Sequence, residues 1–563
     1  MTDPSSPVRQ KLYRAADEIL GLIRGGQTDR AFQKISAFQG DGSVTRFTLI
    51  RLLVSIGQQK EDRAVLTCAL EAFERLKAKA KGPLGPETYY DIANGYLELY
   101  ALAVHTDGAN VFDCEETVTA ALRYGLRGAA DGPRALTNLG NLYDEIGRPV
   151  EALGCYERAL AIDPEFGMAL GNKAMAIQTL APVTRYPVTH LIQAHQFCQA
   201  AIAQANSVAG AGLDGSLESF RTQDDEIVGY LTSIGRADRL DQDLRHEPYD
   251  DSPLSEFVRF YGRFCLRHDL YLNTHLADRQ AAASIGDEIV PVLTTRVGDS
   301  DDRRSVDDIM FRLNEILESY MTARMALVQS QYVCDDFSAI SRQTTLVNLE
   351  DGSASNIYVG HLKMAYKEAF AALDKIAVLI NHYLELGLPE QQRYYGTVWY
   401  EHGPDGKPSD PRVLAPEVKA AGYRHFGLYL LCKDLCGSKY SDIRNALTHR
   451  YLRVYTADPR PKGAYLFDDL TATTIDAMYK VKCAIMYAAL FVWSKENQKR
   501  GNHPTAQAHL STDQQLEQWK RPGLEAIPTA GPTPAETSGQ LTLPRRIARW
   551  LRRHLSQAVV AAP

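Results

Sequence analysis

Two side chains of complementary chemistry lie five positions apart late in the sequence, Arg444 and His449. Arginine offers a planar fork of N–H donors that suits phosphate oxygens. Histidine exchanges protons near neutral pH because its ordinary pKa lies there. Asn445, directly after the arginine, adds an amide that can orient the imidazole or donate to a phosphate oxygen. The three residues therefore predict a site that acts on a phosphate group.

The surrounding stretch, Ser438 to Val454, carries the signals of a helix. Gly437 can end a preceding helix, because glycine takes the left-handed conformation without strain. Ser438 or Ser441 can then cap a new helix with a side-chain oxygen. We therefore expect the Arg444–His449 motif near a helix N-terminus, where unpaired backbone N–H groups already favour phosphate.

The helical period sets the directions of the three side chains. At 3.6 residues per turn, Asn445 and His449 point within about 40° of each other, whereas Arg444 and His449 diverge by about 140°. One helix therefore does not aim Arg444 and His449 at a single point. We expect a second copy of the helix to complete the site, which predicts a homodimer.

Four further helices are predicted around the motif helix. Ser305 begins the first with a capping box, and apolar residues at four-three spacing mark a second over residues 356–386. Pro416 suits the first turn of a third helix, which we predict to reach Cys436. A last helix, over residues 471–497, closes the bundle. The pattern predicts an all-α antiparallel bundle late in the chain.

Residues 133–166 have the spacing of a tetratricopeptide repeat, a helix–turn–helix unit. Small residues let its two helices approach, and a proline ends the second. An earlier repeat is predicted to begin near Tyr89, with its second helix near 116–124, and a later one at Gly167, because one repeat cannot bury its own apolar face. The matching positions are Leu136, Leu139, Gly140, Tyr143, Ala152, Tyr156, Ala159 and Pro164.

The Arg-Asn-x-x-x-His pattern, near the start of a late helix in an all-helical domain, resembles the HEPN superfamily of nucleotide-binding and ribonuclease domains. The resemblance covers residues 305–498, and tetratricopeptide repeats precede such domains in bacterial members of the superfamily. It implies a metal-independent endoribonuclease, in which the 2′-OH of the RNA substrate attacks the adjacent phosphate. In the resembling families two such motifs meet across a dimer.

The resemblance also implies a role for each site residue. His449 would act as general base or acid, and Arg444 would hold the scissile phosphate and offset the charge of the transition state. Asn445 would orient His449 or donate to a phosphate oxygen. The products would be a 2′,3′-cyclic phosphate and a 5′-hydroxyl.

Other hypotheses stay open beside the ribonuclease. The bundle can instead be a non-catalytic, nucleotide-binding or dimerising module on a tetratricopeptide scaffold. Alternatively, the repeats can bind a peptide or partner protein as the trigger of a toxic nuclease, which implies a role in stress or phage defence. An aromatic loop between Tyr394 and Tyr400 can stack nucleic-acid bases or pack against the bundle, and Arg450 and Arg453 would widen a basic field.

The composition, 45% hydrophobic and 23% charged, is typical of a soluble globular protein. A net charge of −7 argues against a nucleic-acid-binding surface over the whole chain, so an RNA site must be a local basic feature. The N-terminal residues are polar, and the apolar run from Ala484 to Trp493 is too short to span a bilayer. The nine cysteines lack the regular spacing of a disulfide framework, which fits a reducing compartment. We therefore expect a cytoplasmic protein.

A metal site is considered at Cys432 and Cys436, which lie four positions apart on a predicted helix, with His425 seven residues earlier. Such a site needs at least one further ligand, so buried cysteines are the favoured interpretation. The sequence has no P-loop, dinucleotide-binding glycine motif or HExxH motif. We therefore expect neither a metal nor a bound cofactor.

The chain divides into four predicted regions. Residues 1–183 form a tetratricopeptide-like helical-hairpin solenoid, 184–304 a helical connection and 305–498 the HEPN-like bundle. Residues 499–563 are predicted to form a flexible linker that ends in a short basic amphipathic helix over 544–555. That helix can make a weak contact with a membrane surface, touch RNA or dock on an acidic partner, and a disordered tail is the other alternative.

Overall fold

The computed structural model describes residues 7–37, 43–80, 84–204, 214–241, 251–274, 285–291, 293–296, 299–347, 351–458, 460–500 and 505–507. Helices make up most of these residues, and strands form two short pairs among them. The predicted all-α fold, with helical repeats before a helical bundle, is confirmed. None of the described helices is both long and apolar enough to cross a bilayer. The predicted C-terminal amphipathic helix lies outside the described residues.

The first part of the chain is built from helical hairpins. Its helices are α1 (Pro7–Arg24), α2 (Thr28–Ala37), α3 (Ser43–Lys60), α4 (Arg63–Lys77), α5 (Pro86–Ala101), α6 (Glu115–Gly128), α7 (Pro133–Glu145), α8 (Pro149–Ile162), α9 (Gly167–Leu180), α10 (Pro187–Ala203), α11 (Asp214–Ser233) and α12 (Glu256–Arg267). Helices α3 and α4, α5 and α6, α7 and α8, and α9 and α10 pack pairwise. Each pair buries the apolar stripe of its neighbour, which is how a repeat array acquires a continuous core.

The repeat predicted at residues 133–166 corresponds to α7 and α8. Gly140 lies where the two helices touch, because a Cβ atom placed on it would lie 2.4 Å from the ring of Tyr156. Ala152 is completely buried in α8. Gly147, with a φ of +79°, makes the turn between them, a conformation that costs glycine little. The small residues therefore occupy the positions that the sequence predicted for them.

The neighbouring repeats are present as well. Helices α5 and α6 form the earlier hairpin, and a π-helical turn (Leu102–Thr106) and a 3₁₀ turn (Val111–Cys114) fill the insertion between them. Helix α9 begins the later unit at Gly167, as predicted, and packs against both α8 and α10.

The later part of the chain is a bundle of long helices. Its elements are β1 (Thr294–Arg296), α13 (Ser300–Gln331), α14 (Asp335–Arg342), α15 (Ile357–Tyr383), α16 (Pro416–Ala420), α17 (Tyr423–Leu435), α18 (Ser438–His449), β2 (Val454–Tyr455), β3 (Tyr465–Leu466), α19 (Phe467–Arg500) and β4 (Thr505–Gln507). Helix α15 packs against both α13 and α19 along its length. The four-three spacing predicted for α15 is its buried stripe, from Leu362 through Leu373 to Ile380.

Two predicted features of this part are wrong, and one short strand was not predicted. Helix α13 begins at Ser300 rather than Ser305, so Ser305 is inside the helix. The third predicted helix is divided into α16 and α17 by Gly422, whose φ of +90° cannot continue a right-handed helix. Strand β4 lies within the region predicted to be a linker, where Gln507 pairs with Thr294 of β1 in an antiparallel ladder.

Within the connection between the repeats and the bundle, the segment that follows α12 is anchored by two buried side chains of α13. Tyr320 donates a hydrogen bond from its hydroxyl to the carbonyl of Leu270 at 2.8 Å. Arg324 donates to the same carbonyl at 3.0 Å and to both carboxylate oxygens of Asp287 at 2.7 Å. These contacts satisfy a buried guanidinium and tie the connection to the bundle.

The repeats from the end of α5 onward share one hydrophobic core with the bundle. Phe112 of the repeat region contacts Phe426 of α17, with ring centroids 5.2 Å apart. Arg148, in the turn between α7 and α8, is 2.9 Å from the carboxylate of Asp434 on α17. Because Arg148 is buried and pairs with Glu151 as well, the turn of the repeat is fixed against the bundle.

Candidate functional site

The motif helix, α18, is fixed at its beginning by packing against α15. The buried side chains of Tyr440 and Ile443 face the core. Tyr366 on α15 donates a hydrogen bond from its hydroxyl to the carbonyl of Tyr440 at 2.8 Å. The elements that carry the site are therefore α15 and α18, which are separated in sequence but adjacent in the bundle.

The N-terminus of α18 differs from the predicted one. Gly437 is the residue that precedes the helix, its φ is −62°, and no side chain caps the first turn. Ser441 instead donates its hydroxyl to the carbonyl of Cys436 at 2.8 Å. The prediction of a left-handed glycine and a serine cap is therefore wrong, although the predicted start of the helix at Ser438 agrees with the structure. The predicted position of the motif near the helix N-terminus is also wrong, because Arg444 to His449 are the last six residues of α18.

Arg444 is half-buried between α18 and α15. Its terminal Nη2 donates to the carboxylate of Asp374 at 2.5 Å, and its guanidinium lies 5.6 Å from the centre of the Phe370 ring. The backbone N–H of Tyr395 also donates to Asp374, at 3.1 Å. Burial raises the pKa of Asp374, against the opposing effects of Arg444 and the Tyr395 amide. Arg444 is therefore held in one orientation by a carboxylate.

Asn445 and His449 lie on the open side of the same helix and are exposed. No hydrogen bond joins either side chain to another described residue or to Arg444. The arginine points toward α15, while the amide and the imidazole face solvent. Within one chain the structure thus brings Arg444 to Asp374 and leaves Asn445 and His449 free to meet another molecule.

Comparison with known families finds a match in the bundle and a match in the repeat region. Residues 300–495 match the family described as LA2681-like HEPN, and residues 133–166 match the tetratricopeptide repeat. The bundle is a HEPN domain of the LA2681-like type. No curated protein matches the chain. The resemblance inferred from Arg444, Asn445 and His449, with repeats ahead of the bundle, is therefore confirmed.

Asp374, the partner of Arg444, is the residue of this arrangement that sequence reasoning missed. It lies 70 positions before Arg444, on a helix with a long apolar stripe. Leu373 and Ile376, its neighbours on that stripe, are buried, and Asp374 itself is half-buried. A carboxylate within an apolar helix suggests a cationic partner, because a buried charge requires one. The sequence contains that signal but does not identify the partner.

A second cluster joins α18 to α19 beside the HEPN motif. Lys480 donates to the hydroxyl of Tyr440 at 2.7 Å and to Asp476 at 3.2 Å, and Lys439 lies 3.3 Å from the same carboxylate. Tyr440 donates its hydroxyl to Asp476. Burial acts to raise the pKa of Asp476, but the Tyr440 hydroxyl and the lysines outweigh it and lower that pKa. The cluster fixes the first turn of the motif helix to the bundle.

The cysteines near the motif are placed together. The Sγ atoms of Cys432 and Cys436 are 3.6 Å apart, and Cys432 donates to the carbonyl of Tyr395 at 3.0 Å. The contact with the Cys432 thiol and the nearby positive charge of Arg444 outweigh burial and lower the pKa of Cys436. His425 instead packs on the Phe491 ring, with centroids 3.6 Å apart. Across the described ranges, no three His, Cys, Asp or Glu side chains are grouped to hold a metal ion.

The aromatic loop between Tyr394 and Tyr400 packs against the bundle, which is one of the two alternatives that its sequence left open. Tyr395, Trp399 and Tyr400 are almost completely buried. Trp399 donates its indole N–H to the carbonyl of Tyr395 at 2.7 Å, and Tyr395 donates its hydroxyl to the carbonyl of Leu428 at 3.0 Å. Only Tyr394 among these aromatics is exposed, so the loop has one ring available to solvent.

Proposed function

We propose that this protein is a metal-independent endoribonuclease of the HEPN type. The observation that carries the proposal is the arrangement on α18, where Asn445 and His449 are exposed and Arg444 is fixed by Asp374. RNA supplies its own nucleophile, the 2′-OH, so the protein needs a proton acceptor, a phosphate clamp and a donor to the leaving oxygen. The three motif residues have those capacities.

The cleavage would proceed as an internal phosphoryl transfer. One imidazole accepts the proton of the 2′-OH as its oxygen bonds to the phosphorus, and the bond to the 5′-oxygen breaks as that oxygen takes a proton from the imidazolium or from water. His449 is the residue for this proton transfer, because an imidazole can accept or donate a proton and this one is exposed, where a substrate can reach it. The products are a 2′,3′-cyclic phosphate and a 5′-hydroxyl. Asn445 orients the imidazole or donates to a phosphate oxygen.

Arg444 has N–H groups that are not bonded to Asp374 and can bind the phosphate. A guanidinium carries five N–H groups, and the side-chain contacts of Arg444 engage one terminal nitrogen with Asp374. Its side chain remains 31% exposed. Asp374 would therefore act as a positioning residue that sets the plane of the guanidinium, while the remaining N–H groups bind the scissile phosphate.

A homodimer would combine Arg444 of one chain with His449 of the other. Lys375, next to Asp374 in α15, contacts Glu315 of α13 at 3.0 Å, so these helices form one outer ridge. Exposed apolar side chains border the ridge, Phe311 and Met325 on α13 and Met364 on α15. Met364 lies about 20° from Lys375 around α15. These exposed apolar side chains support the binding of a second copy of the chain to the surface that α13 and α15 form.

The repeat region would recognise a peptide or partner protein that controls the nuclease. The support is the ion pair between the buried Arg148 of the repeat turn and Asp434, which lies shortly before the motif helix. A cytoplasmic toxin for stress or phage defence would have this organisation, and that part of the proposal rests on analogy between folds.

The experiment is cleavage of end-labelled single-stranded RNA by the purified full-length protein in EDTA, with chemical identification of the new ends. Wild type should produce cyclic-phosphate ends, and His449→Ala should produce none. Thr448→Ala is the matched control, because Thr448 is also exposed on α18 and has no assigned role. Cleavage retained by His449→Ala, or cleavage that requires magnesium, would refute the mechanism. RNA binding without any cleavage would favour the non-catalytic module.

A further inference from the structure

Tyr451, two positions after His449, has a completely exposed side chain. Its relative exposure is 100%, whereas the exposed tyrosines Tyr13 and Tyr394 each retain about half of their surface in contact with the protein, at 48% exposure. The side chain makes no hydrogen bond or ring contact with any residue that the structure describes. A phenol ring without an internal partner leaves both of its faces available to an external one.

The backbone around Tyr451 is fixed, although its side chain is free. Arg450 ends α18 by donating its N–H to the carbonyl of Ala446 at 3.0 Å. Lys363 on α15 donates its ammonium to the carbonyl of Leu452 at 2.8 Å, and the side chain of Leu452 is buried. Strand β2 follows directly and pairs with β3. The ring is therefore displayed from an anchored segment, so little backbone order has to be imposed when a ligand binds.

Two arginines, Arg450 and Arg453, flank Tyr451 in the sequence. Arg450 is exposed, and its side chain forms no hydrogen bond or ion pair with another described residue. Arg453 is 65% exposed and lies 3.8 Å from Asp351, a distance at which an exposed pair holds its partner weakly. The sequence from Arg444 to Val454 contains no acidic residue. The chain as a whole carries a net charge of −7, so this segment is basic within an acidic protein.

An exposed aromatic ring between arginines is the arrangement that binds single-stranded nucleic acid. Bases stack on the ring, and the guanidinium groups contact the phosphates on either side. Three rings of the aromatic loop between Tyr394 and Tyr400 are buried, whereas Tyr451 is a fully exposed ring two positions after His449 in the sequence. A protein partner would need an apolar surface around the ring, but the residue that follows it, Leu452, is buried.

We propose that Tyr451 is a base-stacking residue of a single-stranded RNA subsite, with Arg450 and Arg453 as its phosphate contacts. The subsite rests on the proposed function in that RNA is the ligand. It concerns binding and specificity, because a base held on Tyr451 places the neighbouring phosphate of the same strand close to His449. The strand must be unpaired there, because a base within a duplex cannot expose its face to a side chain.

The test measures binding of full-length protein to a fluorescein-labelled, mixed-sequence RNA 12-mer that is 2′-O-methylated throughout. Such an RNA cannot be cut by attack of its 2′-oxygen, so binding is observed without cleavage. Tyr451→Ala should weaken binding about 5- to 150-fold, the range expected for loss of one base–aromatic stack, and Tyr451→Phe should keep it. Tyr394→Ala, which removes a half-exposed tyrosine of the same domain, should bind as wild type does.

Two additional measurements make the result specific. Replacing one base with 2-aminopurine should give a fluorescence quench on binding that Tyr451→Ala loses. Arg450→Gln should reduce the dependence of log K on log salt by about one unit, because one phosphate contact is lost. The exposed position of both side chains makes a folding defect in these variants unexpected, and the melting temperature checks this directly.

Each remaining outcome decides between the two proposals. Tyr451-dependent binding with no cleavage of ordinary RNA would overturn the ribonuclease and support the subsite. Wild-type binding by Tyr451→Ala, weak binding by Tyr451→Phe, or no binding by wild type would overturn the subsite. A fall in the molar mass of Tyr451→Ala, with RNA binding unchanged, would assign the ring to a contact between copies and would also overturn it.

Discussion

Arg444 and His449 have different surroundings although they belong to one helix. His449 is exposed and can be replaced without disturbing the core, so its loss should affect chemistry alone. Arg444 is half-buried and neutralises Asp374, so its loss also leaves a carboxylate without its cation. A variant of Arg444 therefore changes both activity and stability, and the two effects have to be separated by experiment.

The pair predicts coupled stability effects. Arg444→Ala and Asp374→Ala should each lower the free energy of unfolding by about 1–3 kcal/mol, because each leaves a largely buried polar partner unpaired. The double variant should lose less than the sum, with a coupling of about 0.5–3 kcal/mol. Urea titrations of the full-length variants, followed by circular dichroism, measure these values. His449→Ala is the control and should remain within about 0.5 kcal/mol of wild type.

The outcome can contradict the assigned contact in a simple way. Additive effects of Arg444→Ala and Asp374→Ala would mean that the two side chains do not interact in solution. In that case Asp374 would have no positioning role, and the orientation of the guanidinium would need another explanation.

Among the helices, the repeat hairpin of α7 and α8 depends on the absence of a side chain at Gly140. The ring of Tyr156 occupies the space that a side chain would need, and Tyr156 also donates its hydroxyl to Asn141 at 3.0 Å. Asn141 accepts a second hydrogen bond, from Asn172 of α9, at 2.7 Å. Movement of the ring would therefore disturb both the hairpin and its contact with the next repeat.

Gly140→Leu should lower the free energy of unfolding by about 1–3 kcal/mol through overpacking. Gly229→Leu is the matched control, because Gly229 also lies within a helix but has no atom within 4 Å of a built Cβ. The comparison of the two variants by thermal and urea unfolding separates steric cost from the general effect of replacing a helical glycine. A Gly140→Leu variant as stable as wild type would show that the register of residues 133–166 is wrong.

At the scale of the whole molecule, the HEPN bundle and the repeats are joined by a common core. Tyr487 of α19 donates its hydroxyl to Glu151 of α8 at 2.8 Å, and Glu151 pairs with Arg148. Separating the predicted bundle, residues 305–498, would expose these buried groups and the apolar surface around them. Assembly therefore has to be studied on the full-length chain rather than on that fragment.

The full-length protein, whose chain has a mass of 62.5 kDa, should be a dimer by light scattering. Mixing inactive Arg444→Ala with inactive His449→Ala then tests where the site lies. If each centre joins Arg444 of one chain to His449 of the other, a mixed dimer has one intact centre and partial cleavage should return. No rescue with the dimer intact would mean that both pairs are needed. A monomer with full activity would contradict the composite site.

The sequence by itself determined the parts of this protein that depend on local spacing. The tetratricopeptide hairpin, the long helix α15 and the motif helix beginning at Ser438 were all predictable, because helical periodicity and turn residues are short-range properties. The divergence of Arg444 from His449 was predictable for the same reason. It follows from 3.6 residues per turn, whatever the helix packs against.

Only the tertiary structure decided which distant groups meet. Asp374 is the partner of Arg444 across 70 residues, and Arg148 of the repeat meets Asp434 of the bundle. Packing also buried the aromatic loop and left Tyr451 outside, although both sequences contain aromatic rings near basic residues. Burial and ion pairing depend on which helices are neighbours in space, and no local pattern encodes that, because each contact is selected by the whole core at once.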